Sequence, residues 1–491
     1  MIKINIDWKK WNEIQTLHKN YVIEKSNKRF ENIIHEYELK NKLLNMYSKN
    51  KRKYLNEVEK LFKKSLNDLL NGIPQSDIEK HIIDYINECK IKKRFNNDNE
   101  KTFIKLLKQS LVEMKNTKSE YKLFKYLQKE GLVKLALLNK EDIVNFPDSL
   151  WYNKELRKLM NISLKLKYIK LLKYYKKTTI KSLGLNNING FLLKFENDIK
   201  RFNFQYIVKG HKSYTSIKYK RNFDDVVDKY IKSLENEINP IIKKIEDLFN
   251  YDDFVRGYNE WGAYEFVDKL NIGVCPYCNR SFTTTYRSEH GRTRPELDHF
   301  YIKSIYPYLA LTLYNLIPSC HICNSNLKGD KDFVDYKPIY PYIEEFGEEV
   351  NFKTDFYTEK DLIMIENDKQ IKEIQRYDIS YLSGNSFNFK IELEIKNPHS
   401  EKGKKIKNSK DTFKLEELYN FHKDYIKELI KKAIIYNESR IKELFTQHKD
   451  LFSSREEVLQ MVVSNYINNE DLGKRPLAKL TKDICEELGL K

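Results

Sequence analysis

The chain has 491 residues, about three domains' worth at roughly 150 residues each, which excludes a disulfide-stapled miniprotein. Hydrophobic residues make up 40%, charged residues 33% and aromatics 13%, too much apolar and aromatic surface for a disordered polar chain. Lysines and arginines outnumber acids 89 to 71, a net charge of +18 that points to polyanionic partners, nucleic acid first.

No apolar run approaches the roughly 18 residues of a membrane span, and the start, Met1 to Trp11, alternates charge with bulk, so the expectation is a soluble, cytoplasmic protein. Four of the six cysteines form two C-x-x-C pairs, a pattern of metal binding in a reducing compartment rather than of scattered disulfides. No G-x-x-x-x-G-K-[ST] or G-x-G-x-x-G string occurs, so any ATPase activity has to come from a partner protein.

From Trp8 to about Leu159 apolar residues recur at helical spacing, as Phe30, Ile33, Ile34, Tyr37, Leu44 and Tyr47 do, and residues 1–155 read as a helical domain. Gly72-Ile73-Pro74 and Asn145-Phe146-Pro147-Asp148 mark joints in it. Residues 156–225 differ. Between Leu156 and Phe223 stand 17 lysines and arginines against two acids, Glu196 and Asp198, a net +15. Tyrosines such as Tyr168, Tyr174, Tyr175, Tyr206, Tyr214 and Tyr219 interleave with them. Cations neutralise phosphates and aromatics offer stacking faces, so this segment reads as a nucleic-acid track. Its expected contacts are Lys165, Lys170, Lys173, Lys176, Lys177, Lys209, Lys218, Lys220 and Arg221. The plain alternative is a solvated helix face. A helical connector over 226–270 leads to a cysteine-bearing core over 271–340, and residues 341–491 read as an α+β extension. Within the extension, Phe387 to Ile395 alternates with period two, a strand with one buried face. Leu415, Leu418, Tyr425, Ile426 and Leu429 then suggest one long amphipathic helix.

The chemistry concentrates between the cysteine pairs. Cys275-Pro276-Tyr277-Cys278 and Cys320-His321-Ile322-Cys323 are 41 residues apart, and four thiolates from two such knuckles close a tetrahedral structural zinc site. Ser281–Tyr286, the turn Ser288-Glu289-His290-Gly291 and Arg292–Phe300 read as a β-hairpin ending in Glu296-Leu297-Asp298-His299-Phe300. Asp298 offers a hard oxygen ligand and His299 a base that titrates near neutrality. Neighbouring residues of a regular strand face opposite ways, so a shared site requires the strand to end or distort there. Glu296, two positions before Asp298 and on the same side, reads as a solvated glutamate or else as a support for Asp298. His321 reads as a surface histidine, with replacement of a thiolate or a phosphate contact as the alternatives, and Lys328 reads equally as a contact to a phosphate backbone or as an ordinary surface lysine.

The string C-P-Y-C, L-D-H-F, then Y-N-L-I-P-S-C-x-x-C-N-x-x-x-K-G resembles the HNH endonucleases, zinc-knuckle-supported nucleases of the ββα-metal type. Among these it is similar to HNH proteins of bacterial anti-phage systems, the Septu HNH component included. The likeness covers about 60 residues, with a looser one running on to the C-terminus. The resemblance implies an α+β chain with a treble-clef-like HNH core following a mostly helical N-terminal half. It implies His299 as general base, Asp298 and Asn324 as ligands of a catalytic Mg²⁺ or Mn²⁺, and Asn315 as the residue that fixes His299 across a loop. The motif's third position is Asn324 rather than His, which favours magnesium or manganese over zinc there. The implied function is cleavage of DNA in antiviral defence, gated by an ATPase partner. Two alternatives stay open: a ribonuclease acting on tRNA or other RNA, and an idle zinc-stabilised nucleic-acid-binding module.

Overall fold

A computed structural model describes residues 1–62, 119–151, 153–201, 220–257, 261–356 and 379–490. It divides into two compact units, one made of Met1–Lys19, Ala136–Ser149 and Asn250–Lys491, the other of Asn20–Leu135 and Leu150–Phe249. The architecture is α+β: the N-terminal half is mostly helical, and a β-containing segment with four clustered cysteines precedes a C-terminal region of helices and one further strand pair.

The described residues of the second unit are helical or in short turns. Helix α1 (Trp8–Phe62) starts in the first unit and continues in the second, where Phe30, Ile33, Ile34 and Tyr37 are buried as their spacing predicts. Helices α2 (Leu156–Lys177), α3 (Ile188–Arg201) and α4 (Lys220–Leu248) surround an aromatic cluster. Tyr175 meets Phe191 and Phe195 edge-to-face at 5.4 and 5.0 Å, and Phe223 meets Phe191 at 5.2 Å. Tyr168 and Tyr175 are fully buried, whereas Tyr174 is exposed. Two of the tyrosines expected to offer stacking faces are therefore core residues, because the helix needs an apolar stripe to pack and these rings supply it.

The same packing changes the lysines. Lys173 pairs with Glu235 of α4 at 2.7 Å, Lys176 with Asp228 at 2.7 Å, and Lys165 with Glu237. Lys220 pairs with Asp224 one turn along its own helix. Lys209 and Lys218 lie outside the described residues, as does Cys89.

In the first unit, helices α5 (Tyr251–Arg256) and α6 (Ala263–Leu270) precede a short hairpin of β1 (Tyr286–Ser288) and β2 (Gly291–Thr293). The returning strand does not run on to Phe300 as expected. The chain leaves the hairpin at Arg294-Pro295, where proline has no N–H to donate. The next strand, β3 (Glu296–His299), pairs antiparallel with β4 (Leu316–Ser319), from Glu296 opposite Ser319 to His299 opposite Leu316. A π-helical turn, Ile322–Lys328, begins within the second cysteine pair and includes Cys323.

Strands β5 (Val350–Phe356) and β6 (Phe389–Ile395) form a separate antiparallel pair. Phe389, Ile391 and Leu393 are buried, the alternation read from the sequence. The expected long helix is two: α7 (Leu415–Tyr419) and α8 (Lys423–Ile435), interrupted at Asn420–His422. Asn420 is drawn to the strand, its Oδ1 accepting from Ile391 N at 2.9 Å and its Nδ2 donating to Ile391 O at 2.8 Å.

Candidate metal centre and active-site cleft

The cluster of four cysteines starts from a local turn. Asn279 N donates to Cys275 O at 2.8 Å, and Asn279 takes a left-handed conformation at φ 52°, which asparagine tolerates better than most residues. Its side chain donates to Leu472 O at 2.8 Å and accepts from Lys479 N at 3.1 Å, which anchors the knuckle to the C-terminal region. The thiol sulfurs of Cys275, Cys278, Cys320 and Cys323 all lie within 4.8 Å of one another, and those of Cys278 and Cys320 are 3.9 Å apart. Zinc–sulfur bonds of about 2.3 Å in a tetrahedron put sulfurs about 3.8 Å apart, so the donor set and its spacing fit a structural zinc ion. Four thiolates cannot share this buried space unaided. Burial raises the Cys275 thiol, hydrogen bonding to Cys275 raises Cys323, and bonds from Cys275 lower Cys278 and Cys320. A divalent cation resolves that conflict.

Beside the cluster, β3, α5 and the π-helical turn enclose a cleft of about 510 Å³. Asp298, His299, Asn324 and Lys328 all line it, with Tyr251, Glu296, Arg294 and Lys303. Asp298 and His299 both line this cleft although the ladder is regular through them, and Phe300 N bonds Asn315 O at 2.8 Å in the same register, so the distortion expected at this point is not seen. The Asp298 carboxylate accepts from Tyr277 Oη and from Lys328 Nζ, each at 2.6 Å. Tyr277 belongs to the first knuckle and stacks on Phe413 at 4.4 Å, so the zinc site and Asp298 are mechanically connected.

His299 Nε2 donates to Ala310 O at 3.0 Å, and the ring stands edge-on to Tyr251 at 4.5 Å. Burial pushes the imidazole down to about 3, with Lys328 and Lys303 adding repulsion against the bond to Ala310. The ring is therefore neutral at pH 7, with the proton on Nε2 and the lone pair on Nδ1. The hydrogen bonds of Asn315 go to the loop instead. The Asn315 amide accepts from Tyr301 N at 2.7 Å and donates to Tyr301 O and Leu309 O at 3.0 and 3.1 Å, closing the loop whose next carbonyl, that of Ala310, holds His299.

Two expectations change. Lys328, read as a phosphate contact, is 2% exposed and bonds Asp298 and the His299 carbonyl, because the π-helical turn directs it inward. Glu296, read as a solvated residue, is partly buried and accepts from Asn324 Nδ2 at 2.8 Å, Ser325 Oγ at 2.9 Å and His321 Nδ1 at 2.6 Å. Burial works against its charge, but these donors outweigh it and leave the carboxyl below its ordinary value. His321 is exposed as expected, yet paired with Glu296, which raises its imidazole. The sequence reading also passed over Tyr251, Tyr277, Arg294 and Lys303. An aromatic inside the first C-x-x-C and an arginine two residues before Glu296 were the only signals available.

No protein-family model matches the chain, and no solved structure matches it. Over 107 residues the chain is 31% identical to protein ea31 of Escherichia phage lambda, a stretch that is 21% of this chain and 32% of that protein. The chain thus spans about a third of that relative's length. Among the described residues, no helix is long and apolar enough to cross a membrane.

Proposed function

We propose that the chain is a metal-dependent endonuclease of the HNH type that hydrolyses phosphodiester bonds in DNA. The zinc-held knuckles and the β3–β4 pair with its π-helical turn are its treble-clef-like ββα-metal core. One observation carries the reading: Asp298, His299 and Asn324 line a single cleft in which His299 is neutral and offers one lone pair.

In that reading a water held at His299 Nδ1 gives up its proton to the imidazole as its oxygen bonds to phosphorus and the bond to the leaving 3′ oxygen breaks. An arriving phosphodiester is negatively charged, which lifts the imidazole toward working pH, where a base is most effective. The hydrogen bond to Ala310 keeps the ring oriented throughout.

The oxygens in the cleft suit Mg²⁺ or Mn²⁺. An ionised carboxylate has about four acceptor sites, and Asp298 uses two on Tyr277 and Lys328. Asn324 gives its Nδ2 to Glu296, which leaves Oδ1 as its donor atom. Asp298 and Asn324 are the residues that would hold such a cation, which when bound would supply charge stabilisation at the phosphate and the leaving oxygen.

A second reading, a non-catalytic zinc-stabilised nucleic-acid-binding module, draws support from the buried ion pair, which gives Asp298 a structural role without any cation. Incubation of the purified protein with plasmid and with total tRNA, in Mg²⁺ or in EDTA, separates the readings. We expect plasmid cleavage in Mg²⁺ alone. His299→Ala abolishes it while zinc content and folding persist. A His299→Ala protein cutting at the wild-type rate overturns the mechanism, cleavage of tRNA alone makes the enzyme a ribonuclease, and binding without cleavage favours the second reading.

A further inference from the structure

The residues just before β3 build a surface that the site chemistry does not use. Between Tyr286 and Arg294 the chain holds three arginines and one acid, Glu289. Arg287 is matched by Glu265, which ties the hairpin to α6. Arg292 and Arg294 follow on the same segment. They sit two residues apart, Arg292 within β2 and Arg294 just past its end. Both guanidinium groups lie over the Tyr264 ring, at 5.6 and 5.4 Å.

Arg294 also belongs to the wall of the His299 cleft, together with Lys303. One of its guanidinium nitrogens donates to Pro295 O at 2.7 Å, which further fixes its direction. Arg292, with Arg256 and His290, lines a second depression at the hairpin end. Positive charge thus runs as a line from the cleft outward along β2. Stacking on Tyr264 holds the planar forks before any ligand arrives and presents N–H edges suited to phosphate oxygens. The opposing charges nearby include Glu289 and Asp252, the latter 3.9 Å from Lys303 in an exposed pair that contributes little.

We propose that Arg292 and Arg294, with Arg256 and Lys303 on either side, form the rim that seats the phosphate backbone of the DNA strand entering the cleft. The proposal rests on the reading of that cleft as a phosphodiesterase site.

The test is binding of a fluorescent DNA duplex by the full zinc-loaded chain in a zinc-sparing, magnesium-free buffer, followed by anisotropy across a salt series. Each phosphate neutralised contributes about 0.9 to the slope of log K against log salt concentration. Arg292→Ala/Arg294→Ala should therefore lower the slope by about two and weaken binding at least tenfold, with zinc content unchanged. Arg292→Lys/Arg294→Lys should keep the slope but still bind more weakly, a variant that guards against loss of hairpin structure. An unchanged slope in Arg292→Ala/Arg294→Ala overturns the rim, and so does absence of wild-type binding. A hairpin-dependent slope in a protein that never cleaves sustains the rim and removes the nuclease reading. Wild-type slope and cleavage in Arg292→Ala/Arg294→Ala do the reverse.

Discussion

The buried pair of Asp298 and Lys328 allows a quantitative test of how the cleft is held together. The two groups are 2.6 Å apart, with side chains 4% and 1% exposed. Unit charges about 4 Å apart at an effective dielectric of about 20 attract by about 4 kcal/mol. Burial nevertheless holds the Lys328 ammonium below the ordinary lysine value, with Asp298 opposing it, so desolvation exceeds the attraction. Such a pair adds little net stability but is costly to break one-sidedly. Lys328→Met leaves Asp298 buried with only the Tyr277 hydroxyl, and Asp298→Asn leaves a buried ammonium facing an amide; each should cost about 3–5 kcal/mol. Asp298→Asn/Lys328→Met strands no charge and should lose about 2–3 kcal/mol less than the sum of the single losses. Urea unfolding of the zinc-loaded, magnesium-free protein, followed by tryptophan fluorescence, measures this. Trp8, Trp11 and Trp261 belong to the unit that holds the pair, leaving Trp151 in the other. Losses that add to within about 0.5 kcal/mol refute the reasoning.

Zinc removal by a strong chelator should unfold the first unit while helical circular dichroism from the second persists. Structural zinc contributes on the order of 10–16 kcal/mol in small domains, more than most domains have to lose. Cooperative unfolding of the first unit that survives metal loss counts against the assignment. A third prediction concerns His18, buried with Nε2 donating to Leu311 O at 2.7 Å and Nδ1 accepting from Trp261 Nε1 at 3.0 Å. Burial lowers this imidazole to about 4. The unfolded chain therefore takes up the proton first, near pH 6.5. The contribution of His18 is complete above that value and is lost as pH falls toward 4, about 3 kcal/mol in all. His299, held down to about 3, adds to the same limb. His18→Gln should flatten the stability profile between pH 6.5 and 4 by about half, and an unaltered acid slope would show that His18 is not its source.

Much of the candidate site was legible because its chemistry is carried by short strings. A C-x-x-C turn brings two sulfurs together by backbone geometry alone, as the bond from Asn279 N to Cys275 O illustrates. The alternation of Phe389, Ile391 and Leu393 identified a half-buried strand for the same local reason. The extent of the first hairpin was misread because Arg292–Phe300 is a plausible single strand until Pro295 is weighed. The partner that β3 takes instead lies beyond an intervening loop.

Residue types and near-neighbour spacing, then, determined the paired cysteines and the helical N-terminal half, whereas Asp298, His299 and Asn324 were singled out through the resemblance to the HNH motif. Only the tertiary structure decided who touches whom. Tyr277 and Lys328 meet Asp298 across 21 and 30 residues, Asn324 meets Glu296 across 28, and Lys165 finds Glu237 across 72. A charged side chain has no preferred partner along the sequence. Burial removes the water that would otherwise satisfy it and makes the nearest opposite group in space the one that matters.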